Sequence, residues 1–163
     1  MGCRGVYFAL TADEEKRLLS AGSDEAVLEI IQEEIEERWD EKWAEETDKS
    51  WDAMHRCLTD GTLSFEPVSA LHQCVLGGKQ LYGDDDYIVS FLTAEETRAV
   101  AAAIRDIDQG WMREKYFRID PEDYEFPTTE EDFDYTWEYF QSVKRFFQKA
   151  AKAGRAVIFT VDQ

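Results

Sequence analysis

Missing from the chain are the short motifs that mark common classes of catalytic and nucleotide-binding site. There is no GxSxG, no Walker A loop, no GxGxxG and no HExxH. No apolar run approaches the roughly 20 residues that a membrane-spanning helix needs. The three cysteines, Cys3, Cys57 and Cys74, are odd in number and form no CxxC pair. A disulfide framework is therefore not expected, and a reducing cytoplasm is the default setting. Bases are scarce, with 18 Lys and Arg against 36 Asp and Glu, a formal net charge of −18. A field of that sign repels nucleic acid and anionic membrane surfaces, so neither is expected as a partner. It favours a basic protein or a cation, although the same acidity also arises as a solubility trait of a whole proteome.

The first ten residues, MGCRGVYFAL, carry one base and then enter an apolar run. They lack the length and small-residue cleavage site of a signal peptide, which again points to the cytoplasm. Gly2 stands where N-myristoylation acts, but Val6 occupies the position that needs Ser or Thr.

What is present suffices for a core. Of 163 residues, 44% are apolar and 13% aromatic, too many for a disordered chain. The length fits one domain spanning 1–163.

Gly5–Leu10, Tyr87–Leu92 and Ala156–Val161 read as strands. Thr11 with Glu14, and Thr93 with Glu96, form capping boxes that open helices directly after the first two. FALTADEEKR and SFLTAEETR echo each other, either as two similar βα units or as the shared grammar of a strand running into a capped helix. Asp24–Glu46 gives the longest helical pattern, with Val27, Ile31, Ile35, Trp39 and Trp43 in one row and eleven acids on the other faces. A second long helix is expected from Glu130 to Gly154, with acids at its start and Lys144, Arg145, Lys149 and Lys152 toward its end, in keeping with the helix dipole. Together these predict an α+β fold: a small, mostly antiparallel sheet packed with about six helices.

The organising stretch is Asp48–Gly61, DKSWDAMHRCLTDG. A helix opened by Thr47 or Asp48 would place Trp51, Met54, His55 and Leu58 on one face. His55 then has two readings: a core residue hydrogen-bonded to backbone or carboxylate, or a general base in a cleft, oriented by Asp52 and floored by Trp51. His55–Cys57 and His72–Cys74 invite a zinc reading, but i and i+2 on a helix point about 200° apart, so no metal is assigned. Asp84–Asp86 could hold a cation, without the twelve-residue calcium-loop pattern. Between Ile119 and Val143 there are nine acids and no Lys or Arg, interleaved with Tyr124, Phe126, Phe133, Tyr135 and Trp137. Aromatics among acids suit capture of Lys or Arg side chains by charge and cation–π contact. The alternative is the capped start of a core helix.

MGCRGVYFAL, DKSWDAMHRCLTDG, VLGGKQL, YIVSFLTAEE and AGRAVIFTV occur in an order that resembles the YfbM-like family, a bacterial domain of unknown function. Cys3 and the Asp84–Asp86 run depart from that pattern. The resemblance implies a small cytosolic α+β protein and no particular activity. Asp48, Lys49, Trp51 and His55 fall on its motif without an assigned role.

The function expected is a non-enzymatic binding module for a basic protein partner, in the manner of an immunity protein or inhibitor, with no cofactor. The alternative is a small-ligand binder or hydrolase-type enzyme centred on His55. The candidate binding residues are Asp48, Trp51, Asp52, His55, Tyr124 and Trp137.

Overall fold

The computed structural model describes residues 3–162; Met1, Gly2 and Gln163 lie outside it, and with Gly2 the myristoylation reading. In chain order the elements are β1 (Gly5–Ala9), α1 (Ala12–Ser20), α2 (Asp24–Ile30), β2 (Ala44–Asp48), α3 (Trp51–Leu58) and α4 (Ala70–Gln73). There follow β3 (Lys79–Gln80), β4 (Tyr87–Leu92), α5 (Ala94–Ile104), α6 (Gln109–Tyr116), α7 (Pro121–Tyr124), α8 (Glu130–Lys152) and β5 (Val157–Asp162). The fold is α+β. Its five strands form one sheet in the order β2-β1-β5-β4-β3, every neighbouring pair antiparallel, and the strands nearest the two ends of the chain lie side by side.

Strands alternate their side chains across the sheet, so each face reads every second residue. Tyr7, Ala9, Ile88, Leu92, Val157, Phe159 and Val161 face one way, against α3, α5, α6 and α8. Phe8, Val89, Phe91 and Ile158 face the other, against Leu18 of α1 and Val27 of α2. Both faces are covered, which is why the central strands are almost continuously apolar.

Both capping boxes are formed, each Thr hydroxyl accepting the Glu backbone N–H and each Glu carboxylate accepting the Thr N–H. The echoed strand–helix units are not equivalent, since α1 packs on one face of the sheet and α5 on the other. Their likeness is local capping chemistry.

The Asp24–Glu46 pattern does not make one helix. α2 passes into a π-helical stretch over Ile31–Glu36, which keeps Ile31 and Ile35 buried. Trp39 then adopts a positive φ of 39°, and the chain turns through a 3-10 helix at Glu41–Trp43 into β2. Repulsion between acids on successive turns weakens the continuous helix. Edge pairing with β1 competes successfully with it, sealed where Thr47 donates its hydroxyl to the Gly5 carbonyl at 2.7 Å. Trp39 leaves the expected row and sets its ring edge-on to Phe8.

Gly5 is closely hemmed in. A Cβ there would lie 2.7 Å from Phe159 Cε1 and 2.8 Å from Thr47 Oγ1. Phe159 in turn packs on Trp51, with ring centroids 6.0 Å apart. Gly5→Ala is expected to lower stability by about 1–3 kcal/mol through overpacking, measured by urea unfolding. A change within about 0.5 kcal/mol would show that this region repacks freely.

Candidate functional site

α3 begins later than the sequence pattern suggests. Thr47 and Asp48 close β2, Asp48 takes a positive φ of 51°, and Ser50 donates both its N–H and its hydroxyl to the Thr47 carbonyl. The helix therefore starts at Trp51, and all of it except Asp52 is buried. Trp51 donates its indole N–H to the Cys3 carbonyl at 2.7 Å, which ties the start of α3 to the chain just before β1.

Arg56 is the one charged residue of α3 inside the core, only 4% exposed. Its Nε donates to Asp52 Oδ1 at 2.6 Å, one turn back. Nη1 donates to the Asp123 carboxylate and to the Gly61 carbonyl, and Nη2 to the Asp123 carbonyl. The guanidinium lies 5.6 Å from the centre of the Tyr124 ring. Burial raises the Asp52 carboxyl above its usual range, with Arg56 pulling the other way.

Tyr124 continues the network. Its hydroxyl donates to Asp132 Oδ2 at 2.7 Å, and Tyr116 donates to the same oxygen at 2.6 Å. Thr129 caps α8 by accepting the Asp132 N–H, and its own N–H donates to the Tyr116 hydroxyl. One turn further along α8, Tyr135 donates to Asp48 Oδ2 at 2.7 Å and accepts the Lys49 N–H. That hydroxyl, then Arg4, holds the Asp48 carboxyl below its usual range. Burial first, and these carboxylates second, raise the phenols of Tyr116, Tyr124 and Tyr135.

These groups enclose a cleft of about 680 Å³ whose walls include Trp51, Asp52, Tyr124, Phe126, Asp132 and Tyr135. Its lining carries three carboxylates, from Asp52, Glu125 and Asp132, and one base, Lys49. Phe126 stands at the rim, 61% exposed, edge-on to Tyr124. Among the described residues three non-glycine positions have positive φ, and two of them, Asp48 and Glu125, border or line this cleft. Strained backbone of that kind persists where the surroundings hold it, and it concentrates at binding sites.

Of the six candidates, Trp51, Asp52 and Tyr124 line the cleft, and Asp48 is joined to it through Tyr135. His55 is elsewhere. Its ring is fully buried, Nε2 bonds the Ser64 carbonyl at 2.7 Å, and Nδ1 has no partner among the described residues. Asp52 pairs with Arg56 rather than orienting His55. Trp137 is also elsewhere, two residues from Tyr135 and so about 200° around α8, against Phe140 and Lys144. Phe133 of the acid–aromatic belt is core. Among the described residues no three His, Cys, Asp or Glu side chains are arranged to hold a metal ion. None of their helices is long and apolar enough to cross a membrane.

The residues not singled out from sequence are Arg56, Asp132 and Tyr116, while Tyr135 belongs to the acid–aromatic belt without being among the six candidates. For Arg56 a signal existed, an Asp–Arg pair at i, i+4 within an otherwise apolar helix. For Asp132 and Tyr135 the signal was their i, i+3 spacing on one side of α8. Nothing local marks Tyr116.

Burial pushes the His55 pKa down to about 4. Because the folded value is depressed, the unfolded chain takes up the proton first. The stability His55 lends is whole above about pH 6.5 and is lost as pH falls to about 4, a total of about 3 kcal/mol. Urea unfolding across pH 7 to 4 should show this loss in the parent and a shallower one in His55→Gln; identical slopes would refute it. Separately, Arg56→Met strands Asp52 in a half-buried site and should cost about 3 kcal/mol. Limited proteolysis should then open residues 120–127, and a cost below about 1 kcal/mol would show that Arg56 is not the anchor.

The sequence model of a family described as "Domain of unknown function (DUF1877)" matches residues 1–160. The crystal structure of YfbM from Escherichia coli, a protein of unknown function, aligns with a TM-score of 0.65 at 18% identity, over 97% of this chain and 99% of that one. At that identity the likeness shows the fold. No curated protein sequence matches the chain.

Proposed function

The chain belongs to the DUF1877 family, the YfbM-like domain of unknown function, and from the geometry of its cleft we propose that it is a non-enzymatic binding module for a basic protein partner. The observation that carries this reading is the meeting in one concave site of aromatic walls with a carboxylate that accepts hydrogen bonds from neutral groups and has no ion-pair partner among the described residues. Asp132 Oδ2 accepts from two uncharged tyrosine hydroxyls, and among the described residues no Lys or Arg forms an ion pair with it. Asp132 is thus held in place by neutral partners alone. Trp51, Tyr124, Phe126 and Tyr135 stand in the walls beside that carboxylate, and Phe126, the exposed ring at the rim, is the one placed to meet a guanidinium or ammonium group brought in by it. The net charge of −18 would speed the encounter with a cationic surface.

A hydrolase-type or small-ligand site at His55 is not adopted. Its imidazole has no exposed surface: Nε2 carries the proton it donates to the Ser64 carbonyl, and Nδ1, the remaining basic nitrogen, is buried out of reach of a substrate.

Two readouts test the proposal together. The immobilised protein should retain a basic protein from native lysate at low salt and release it at about 0.5 M, where the screening length is roughly 4–5 Å. Phe126→Ala, an exposed truncation, should abolish that retention. Cys3 lines the cleft, whereas Cys57 and Cys74 are buried with thiols pushed up to about 12, so Cys3 is the reactive thiol. The purified captured protein should slow labelling of Cys3. Undiminished retention by Phe126→Ala, with unchanged Cys3 labelling, would sink this reading.

A further inference from the structure

A second cleft, of about 580 Å³, adjoins the first. Trp51 and Leu63 stand in the walls of both. The second cleft runs from them to Phe65 on one side and to Tyr82, Asp84 and Asp85 on the other. Its lining contains two carboxylates and no Lys or Arg. It thus repeats the chemistry of the first: an aromatic wall, carboxylates, and an exposed phenylalanine at the rim. Phe65 is 44% exposed and Phe126 is 61% exposed. Apart from Asp52, which Arg56 pairs, the two linings carry four carboxylates and one base, Lys49.

Building on the proposed binding of a basic partner, we infer that the two clefts are paired subsites for one extended segment of that partner carrying two basic side chains, one seated on each side of Trp51. Three observations support this occupant. The clefts meet at a shared wall, which a single chain can cross without leaving the surface. Trp51 cannot turn aside, because its indole N–H is held by the Cys3 carbonyl and its ring rests on Phe159. Carboxylates occur at both ends, on Asp84 and Asp85 and on Glu125 and Asp132, Asp52 being paired with Arg56, which matches two separated cations better than one. Seating the second basic side chain is then intramolecular, so affinity rises through effective concentration without any new type of contact.

The partner itself is not needed for the test. Capped ten-residue Gly/Ser peptides carrying one Arg, or two Arg at separations from two to six residues, are titrated calorimetrically at low salt, with spermine as a non-peptide polycation. The best two-Arg peptide should bind about tenfold or more tighter than the one-Arg peptide. An Asp84→Asn/Asp85→Asn variant, both positions exposed on the turn before β4, should lose that advantage and keep its affinity for the one-Arg peptide. An unchanged thermal midpoint confirms that the variant folds. If the one-Arg peptide binds, depends on Phe126 and gains nothing from a second Arg, the paired-subsite inference falls while the binding-module reading stands. Spermine binding as tightly as the two-Arg peptide overturns the inference in favour of a free polycation. If no peptide binds at any salt, both readings fall.

Discussion

A buried guanidinium dictates the arrangement of the cleft. Arg56 carries a full charge at a position shielded from water, and such a charge is tolerable only when its donors are nearly all used. One carboxylate comes from its own helix through Asp52, the other from α7 through Asp123, and two carbonyls complete the set. Drawing Asp123 in brings Tyr124 with it. Tyr124 reaches Asp132, and Asp132 sits in the first turn of α8. A chain of requirements therefore runs from one cation in α3 to the orientation of the longest helix. The cleft is the space that these connected pieces leave between them.

The carboxylates of the site divide by what satisfies them. Asp52 is paired with a cation, and its charge is largely spent within the protein. Asp132 accepts from two neutral hydroxyls and has no ion-pair partner among the described residues. Asp48 is intermediate, with a tyrosine on one oxygen and the exposed Arg4 on the other. The tyrosines are therefore more than cleft walls. They fix carboxylates in place by hydrogen bonds from neutral donors, and burial and the neighbouring acids both oppose their own ionisation.

Much of the fold is legible in the sequence. The three long strands, both capping boxes and the terminal helix follow from periodicity and caps, since these signals are local and here agree with the tertiary outcome. The Asp48–Gly61 stretch is also the right place to look, but for a different residue. His55 draws notice by its chemistry, and the imidazole is packed into the core. Arg56, to all appearance an ordinary surface charge, is the anchor. The stretch around β2 misleads for a physical reason: an i+4 row of Ile and Trp is real helical grammar, and only pairing with a strand some forty residues earlier outweighs it. Tyr116 is invisible because its partners, Asp132 and Thr129, lie at the start of another helix. The direction of Trp137 depends on which side of α8 meets the sheet.

The placement of β2 has one more consequence, for behaviour in a crowd. An antiparallel sheet with a free edge presents unpaired amides that another copy can extend, the first step toward fibrous assembly. Here the edge strand at one end carries Glu45, Glu46 and Asp48 on five residues, and the strand at the other end is only two residues long. Two copies meeting edge to edge would juxtapose like charges at the first, and would find almost nothing to grip at the second. The acidity of this edge therefore makes the sheet a poor template for its own copies.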